Sequence, residues 1–474
     1  MAIMGYLGAL TLAAAAVAVA SGWSTFTSSD QDTDGGPRVD GGADGALPPV
    51  SGRPAEAPGA PGEVVAEAIP VVVAVSTFAG TAGAAAYGDA YAMGARFNAP
   101  QGIAVDGSGN LFVSDTGNQR IRKVTPGAFV TTVAGSGTAA LADGTGPAAR
   151  FSGPQGLAVD KSGVIYVTDT DNNCIRQISP GGVVTTLAGD AINDYLDATG
   201  RAARFNLPVG VAVDGTGRLF VADVGNSRIR AVTPAGVVTT LAGSGEPLYA
   251  DGAGTTASFS SPLGIAVGGS TIYVADTLNH RVRAVTSAGK VTTLAGSGAG
   301  AFNDGEPSVA SFLGPTAVSA DARGNVYVCD GLRLRRITPA GVVSTLAGSS
   351  TAGDNDGNGA TASFRRPSAI ALAADGTIYV ADAASHTIRK VAVVGIGQLK
   401  ATWRSPGTTG GAPITGFVAI AAAPGQPPKT CTSTAATSCR FEGLTSGVAY
   451  TVVVRAINDA GASEGSSPVV ATVN

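Results

Sequence analysis

The sequence is short of charge, of aromatic residues and of histidine. Only 14% of its 474 residues are charged, 5% are aromatic, and histidine occurs twice. Two histidines cannot make a three-histidine zinc centre, so a catalytic zinc of that type is excluded. Bases do not outnumber acids (30 against 34), and between residues 71 and 394 the two are equal at 23 each. The broad positive footprint that nucleic-acid binding draws on is therefore missing. After the first twenty residues no window sustains a helical period, which excludes a helical architecture. What abounds instead is glycine and proline (68 and 26 residues), a balance that favours many short strands and turns.

Met1 to Ala20 is a continuous apolar run ending in Ala18-Val19-Ala20, the small-x-small pattern read by signal peptidase. A cleaved signal peptide is the expectation, with a secreted, periplasmic or cell-surface protein as its consequence. An uncleaved membrane anchor is the alternative, because the run approaches the ~20 residues that span a bilayer. Only through that segment would the chain touch a membrane. Residues 21–70 hold 7 prolines and 9 glycines among many Asp and Ser, without a hydrophobic period, and are expected to be a disordered acidic linker.

From residue 71 to 394 self-similarity dominates. Leu111–Asp115, Ile165–Asp169, Leu219–Asp223, Ile272–Asp276, Val326–Asp330 and Ile378–Asp382 recur at intervals of 54, 54, 53, 54 and 52 residues. Each unit reads as four short strands of alternating β-branched and polar residues separated by Gly, Pro and Asn turns. Four antiparallel strands per unit, repeated about an axis, make a propeller blade. The segment at Ser76–Gly80 copies a fourth strand, and the last unit ends after a third strand at Val391. The entering strand is expected to complete the last blade and close a six-bladed ring without an open edge.

Asp115-Thr-Gly-Asn-Gln-Arg-Ile-Arg-Lys-Val124, preceded by Pro100-Gln-Gly-Ile-Ala-Val-Asp106, closely resembles the NHL repeat, and the resemblance covers all six units. It implies an all-β chain whose main body is a six-bladed β-propeller. Cys174 and Thr387 replace the first hairpin arginine, the fifth hairpin (Asp330 to Arg336) is two residues shorter, and Gly268 replaces the first-strand Asp. These departures are read as tolerated variation. Beyond residue 395 the period disappears. Trp403, Pro413–Phe417, Gly443–Tyr450 and Val452–Asn458 resemble a bacterial fibronectin type III domain, a β-sandwich with Tyr450 as its tyrosine-corner residue. Its first strand is not evident, and Val391–Val394 is expected to serve both domains. Within 395–474, Cys431 and Cys439 lie eight residues apart across a turn and are expected to form a disulfide. Cys174 and Cys329, in the second and fifth units, are expected to be free thiols.

Candidate sites fall into four groups. The hairpin pairs Asp115/Arg120, Asp223/Arg228 and Asp276/Arg281 recur in nearly every unit and read as scaffold, the Asp accepting turn N–H groups and the Arg pairing with it or with the next blade. His280 and His386 occupy one hairpin position two blades apart, which is no metal site. Gln101, Gln155, Val209, Leu263, Thr316 and Ser368, each following a repeat proline, are expected to line the propeller axis as ligand contacts. None is a carboxylate, His or Lys. A hydrolase or lyase of the kind the propeller resemblance brings in would need such groups there. The fourth group is the long loops before each first strand, which carry a recurring acid (Asp89, Asp143, Asp197, Asp251, Asp304, Asp356) and a recurring Phe (97, 151, 205, 259, 312, 364). The Phe residues read as wedges between blades, and one acid per loop falls short of a calcium site.

Strand direction places the long loops and the second-to-third-strand hairpins on one face, with the linker and the sandwich on the other. The six loops hold 11 acids and 6 bases, which disfavours the RNA binding that the NHL resemblance allows. The reading is a non-enzymatic recognition scaffold without catalytic residues, metal or cofactor, presenting its loop face to a protein or carbohydrate partner. A propeller hydrolase or lyase with a metal at the axis, and a structural module of a cell-surface assembly, are the alternatives.

Overall fold

The computed structural model describes residues 56–69, 71–394, 397–434, 436–445 and 447–473. The apolar run of residues 1–20 and most of the expected linker lie outside them. Among the described residues regular structure is strand and short 3-10 turns, and no helix is long and apolar enough to cross a membrane.

Local chemistry sets each blade. In the second strand, Leu111–Asp115, all five residues are buried, because neighbouring blades cover both faces. The turn before it is closed by Asp106, whose carboxylate accepts the N–H groups of Ser108 and Asn110 at 2.9 and 2.8 Å. The hairpin after it requires one left-handed residue, supplied in blade one by Gln119 at φ 54°. Blade one is completed by Pro100–Val105, Arg120–Val124 and Phe129–Ala134, with Ala90–Tyr91 of the long loop added at the outer edge.

Six such sheets follow one another around the ring. In the sixth, Val72–Ala79 pairs with Thr387–Val394 from Val72 opposite Val394 to Ala79 opposite Ile388. The ring is thus closed by a strand from the start of the repeat region, as the strand count requires, and Gly357–Asn358 covers the outer edge of that strand. Between consecutive blades lies an apolar cluster built around one loop phenylalanine. Phe97 sits among residues of blades six and one, and Phe151 among residues of blades one and two. Each is fully buried, a contribution of about 2–3 kcal/mol per ring.

The C-terminal β-sandwich has one sheet of Val64–Ala68, Leu399–Trp403 and Ser438–Phe441. The other contains Lys429–Ser433, Gly416–Ala422 and Ala449–Asn458, with Gly461–Ala462 and Val469–Thr472 paired to the last of these. Cys431 and Cys439 form a disulfide between the sheets, Cα to Cα 6.3 Å, while Cys174 and Cys329 are free and buried. The Tyr450 hydroxyl accepts the Thr445 N–H at 3.2 Å, closing the corner.

Two expectations are corrected here. Val391–Val394 belongs to blade six alone, where residues 391 to 394 pair with 75 to 72. The sandwich's first strand is Val64–Ala68, inside the stretch read as linker, pairing with Leu399–Trp403. Its five residues bury only Val64 fully, a signal too short to stand out beside the Pro- and Gly-rich run before it. The propeller is therefore inserted between the first two strands of the sandwich. On the sandwich side of the crossing, Ile69 N–H donates to Gln398 O at 3.3 Å, continuing the pairing of Val64–Ala68 with Leu399–Trp403.

Candidate functional site

Every blade holds a fully buried arginine at the third residue of its third strand: Arg122, Arg176, Arg230, Arg283, Arg335 and Arg389. A guanidinium removed from water needs full compensation. Arg122 donates to Asp115 Oδ2 and Asp89 Oδ1, both at 2.6 Å, and to the carbonyls of Arg96 and Gly88. It lies 5.2 Å over the Phe97 ring. The same arrangement recurs in blades two to five, for example Arg176 with Asp169, Asp143 and Phe151. In blade six Arg389 bonds Asp356 and stands 4.0 Å from Asp382. Burial raises the Asp169 carboxyl to about 6 against the lowering by Asn172, Ser152 and Arg176. It raises Asp115, Asp223, Asp276, Asp330 and Asp382 as well.

The hairpin pairs expected from the sequence are thereby corrected. Asp115, Asp223 and Asp276 do accept loop N–H groups, from Asn98, Asn206 and Ser260. Their ionic partners, however, are Arg122, Arg230 and Arg283, two residues beyond Arg120, Arg228 and Arg281. The first arginine stands at the rim, where carbonyls and a ring suffice. Arg120 donates to Asn118 O and Ser136 O and stacks 4.0 Å from the Tyr87 centroid. Arg228 on Tyr195 and Arg281 on Tyr249 repeat this. The loop acids, read as weak calcium candidates, are the outer clamp of the buried arginine. The signal was present: the second arginine occurs in all six units, whereas the first is replaced twice.

Stack and arginine vary together. The two blades lacking the first arginine, at Cys174 and Thr387, have Leu141 and Asp354 where the others have an aromatic residue. The left-handed hairpin residue reaches the next blade. Gln119 Oε1 accepts Gly153 N–H at 2.7 Å, Asn173 Oδ1 accepts Leu207 N–H at 2.9 Å, and His386 Nδ1 accepts Ala99 N–H at 3.0 Å across the closing seam. His386 is thus a latch, and among the described residues no cluster of three or more His, Cys, Asp or Glu could hold a metal.

Gln101, Gln155, Val209, Leu263, Thr316 and Ser368 occupy the second positions of the six first strands. All but Gln155 border an axial cavity of about 80 Å³, with no ionisable side chain in its lining. At ~30 Å³ per water that is room for two or three waters, well under the 300 Å³ or more of a small-molecule site. The axis is tight because the first strands nearly touch. A Cβ at Gly102 would overlap the Gln155 carbonyl oxygen, and one at Gly156 that of Val209. Hydroxyls join the blades here. Thr168 donates to Val209 O at 2.7 Å, Thr316 to Pro367 O at 3.3 Å and Ser368 to Pro100 O at 3.0 Å. Thr316 and Ser368 are thus latch residues of the ring, and the backbone carbonyls of Gln155, Val209 and Leu263 belong to its close packing.

The loop face differs. Ile192 and Tyr195 in the loop of blade three, and Leu248, Tyr249 and Leu278 in the loop and hairpin of blade four, are each more than a third exposed, Leu248 at 60%. The sandwich leaves from the other end of blade six, beyond Val394, and lies near the turn of blade five, where a Cβ at Gly447 would stand 3.9 Å from Thr338 Oγ1.

A ring of six four-stranded blades with a fibronectin-like sandwich is a β-propeller of the repeat-built class. The chain is an NHL-repeat propeller with a C-terminal fibronectin type III domain. The NHL repeat model matches residues 97–124, 151–178, 205–231 and 364–391, and the fibronectin type III model matches 390–472, beginning inside the third strand of blade six. The chain is 29% identical to Protein SUPPRESSOR OF QUENCHING 1, chloroplastic, of Arabidopsis thaliana, over 62% of its own length and 30% of the relative's. It is 30% identical to the Gallus gallus NHL repeat-containing protein 2, over 61% and 46%. The chain thus spans less than half the length of these relatives. A solved structural genomics protein of unknown function from Bacteroides thetaiotaomicron shares the fold with a TM-score of 0.54 at 24% identity, over 68% of this chain and 76% of that one. The architecture is one for binding or scaffolding.

Proposed function

We propose that the protein is a non-enzymatic recognition scaffold that works outside the cytoplasm and docks a protein partner on the loop face of blades three and four. The observation that carries this is the exposed apolar group Ile192, Tyr195, Leu248, Tyr249 and Leu278 on two consecutive blades, set on a frame whose repeated charges are spent on one another. Loops on a rigid scaffold are where recognition concentrates, and exposed Tyr and Leu beside arginine suit a protein surface better than a sugar. The Tyr195 and Tyr249 hydroxyls are already bonded to Thr240 and Thr293, and arginine covers one face of each ring. The narrow axis without ionisable groups speaks against a metal hydrolase or lyase centred there. Export is supported by the N-terminal apolar run and by the inter-sheet disulfide, which suits an oxidising compartment.

The test places a photo-crosslinking residue at Leu248 or Leu278, and at Val183 or Val237 on the opposite face, in the full chain in its native host. One discrete adduct from the loop-face positions, lost on Tyr249→Asp and absent from the opposite face, is the expected result. Adducts from both faces, or a glycan ligand without a protein adduct, would replace this reading.

A further inference from the structure

The fifth blade breaks the repeat in one place, and a cavity lies beside the break. Its hairpin runs Asp330-Gly331-Leu332-Arg333, two residues shorter than Asp276-Thr277-Leu278-Asn279-His280-Arg281 of blade four. Arg120, Arg228 and Arg281 each donate to a hairpin asparagine carbonyl and to a loop serine carbonyl. The deletion removes that asparagine. Arg333 stacks on Phe302, 4.2 Å to the centroid, and its guanidinium has no hydrogen-bond partner among the described residues. Beside it lies a cavity of about 580 Å³ bordered by Phe302, Asp304, Arg333, Thr345, Ser350 and Ala360, among others. That volume is within the range of small-molecule sites.

The charges in the cavity are unequal in availability. Asp304 also lines it, half exposed, and its carboxylate is already engaged: Arg335 donates to it through Nη2 at 2.7 Å and Nε at 3.1 Å, and Thr345 through N–H and Oγ1 at 3.0 and 3.1 Å. The charge without a hydrogen-bonded partner is the Arg333 guanidinium, over the Phe302 ring. A planar fork of unpaired N–H donors matches a carboxylate in bidentate geometry. The wall opposite is of small residues, Gly348, Ser350, Gly359 and Ala360, which leaves room for the body that carries the acid.

We infer that this cavity on blade five is a binding site for a small carboxylate, gripped by Arg333 on Phe302. It is separate from the apolar surface of blades three and four and does not rest on that reading. The test is calorimetric titration of the full chain with glucuronate, succinate and neutral glucose. At least one of the two acids binds, and glucose does not; which acid binds distinguishes a sugar acid from a plain dicarboxylate. Arg333→Met keeps the stem over Phe302 and weakens binding at least tenfold, roughly what loss of a charged hydrogen-bond pair removes. Arg120→Met, its carbonyl-bonded counterpart in blade one, and Leu278→Asp leave binding unchanged. Ala360→Trp, at an exposed position on the rim, blocks the site without touching Arg333 and abolishes binding with an unchanged unfolding midpoint. No heat with either acid, equal binding of glucose, or an Arg333→Met titration that matches the parent overturns the assignment.

Discussion

Blades one and five share the buried core of the repeat and differ at its rim. In both, an arginine with no exposure is held between an inner and an outer aspartate and covers a phenylalanine: Arg122 with Asp115, Asp89 and Phe97, and Arg335 with Asp330, Asp304 and Phe312. At the rim the Arg120 guanidinium donates to two carbonyls and that of Arg333 to none. What is repeated is consumed by the frame, and what escapes repetition is available to a ligand.

The comparison is broken most severely at its shared half. Arg122→Met and Arg335→Met should each cost about 3–5 kcal/mol, because each leaves a buried aspartate without its cation. Chemical denaturation of the full chain would show it, and a loss under 1 kcal/mol in either blade would mean that the ion cluster is not what holds it. The seam comes next. His386→Ala should cost about 1 kcal/mol, the worth of one hydrogen bond, and His386→Gln should recover most of it, since Gln119 makes the equivalent bond from blade one.

At the rim the two blades should separate. Arg120→Met gives up a stack and two carbonyl bonds and should lose about 0.5–1 kcal/mol, whereas Arg333→Met, with no bond to lose, should fall below that. Inserting Asn-His between Leu332 and Arg333 rebuilds the hairpin length of blade four. It should change stability by under ~0.5 kcal/mol and remove carboxylate binding.

The smallest effect is on pH dependence. Because burial lifts Asp169 to about 6 while an unfolded aspartate titrates near 3.8, the fold binds more protons than the unfolded chain between those values. The stability from this group is full below about pH 3.8 and is lost as pH rises through 6. Asp169→Asn should flatten that part of a stability-against-pH curve, and an unaltered curve would mean that the carboxyl titrates normally in the fold.

Most of the ring was legible. Six recurrences of Tyr-Val-x-Asp-like runs, and a fourth strand standing ahead of the first three, specify blades and closure without any long-range information. The arginine partners are not legible, because spacing along the hairpin pairs Asp115 with Arg120 in register, and only burial tells which guanidinium needs a carboxylate. The blade-five deletion was visible but read as tolerated, since a missing carbonyl leaves no mark in the sequence. Least legible was Val64–Ala68, whose partner strand begins more than three hundred residues later, with an entire propeller in between.

That insertion changes how the molecule bears load. Pull the chain apart at Glu56 and Val473 and both grips are on the sandwich, so tension loads Val64–Ala68 against Leu399–Trp403 and Val469–Thr472 against Ala449–Asn458 while the propeller hangs outside the line of force. Only when Val64–Ala68 comes free does the pull reach Val72–Ala79, the strand that closes the ring, from the N-terminal side. The sandwich is thus a mechanical fuse, and its failure would open the propeller at its seam.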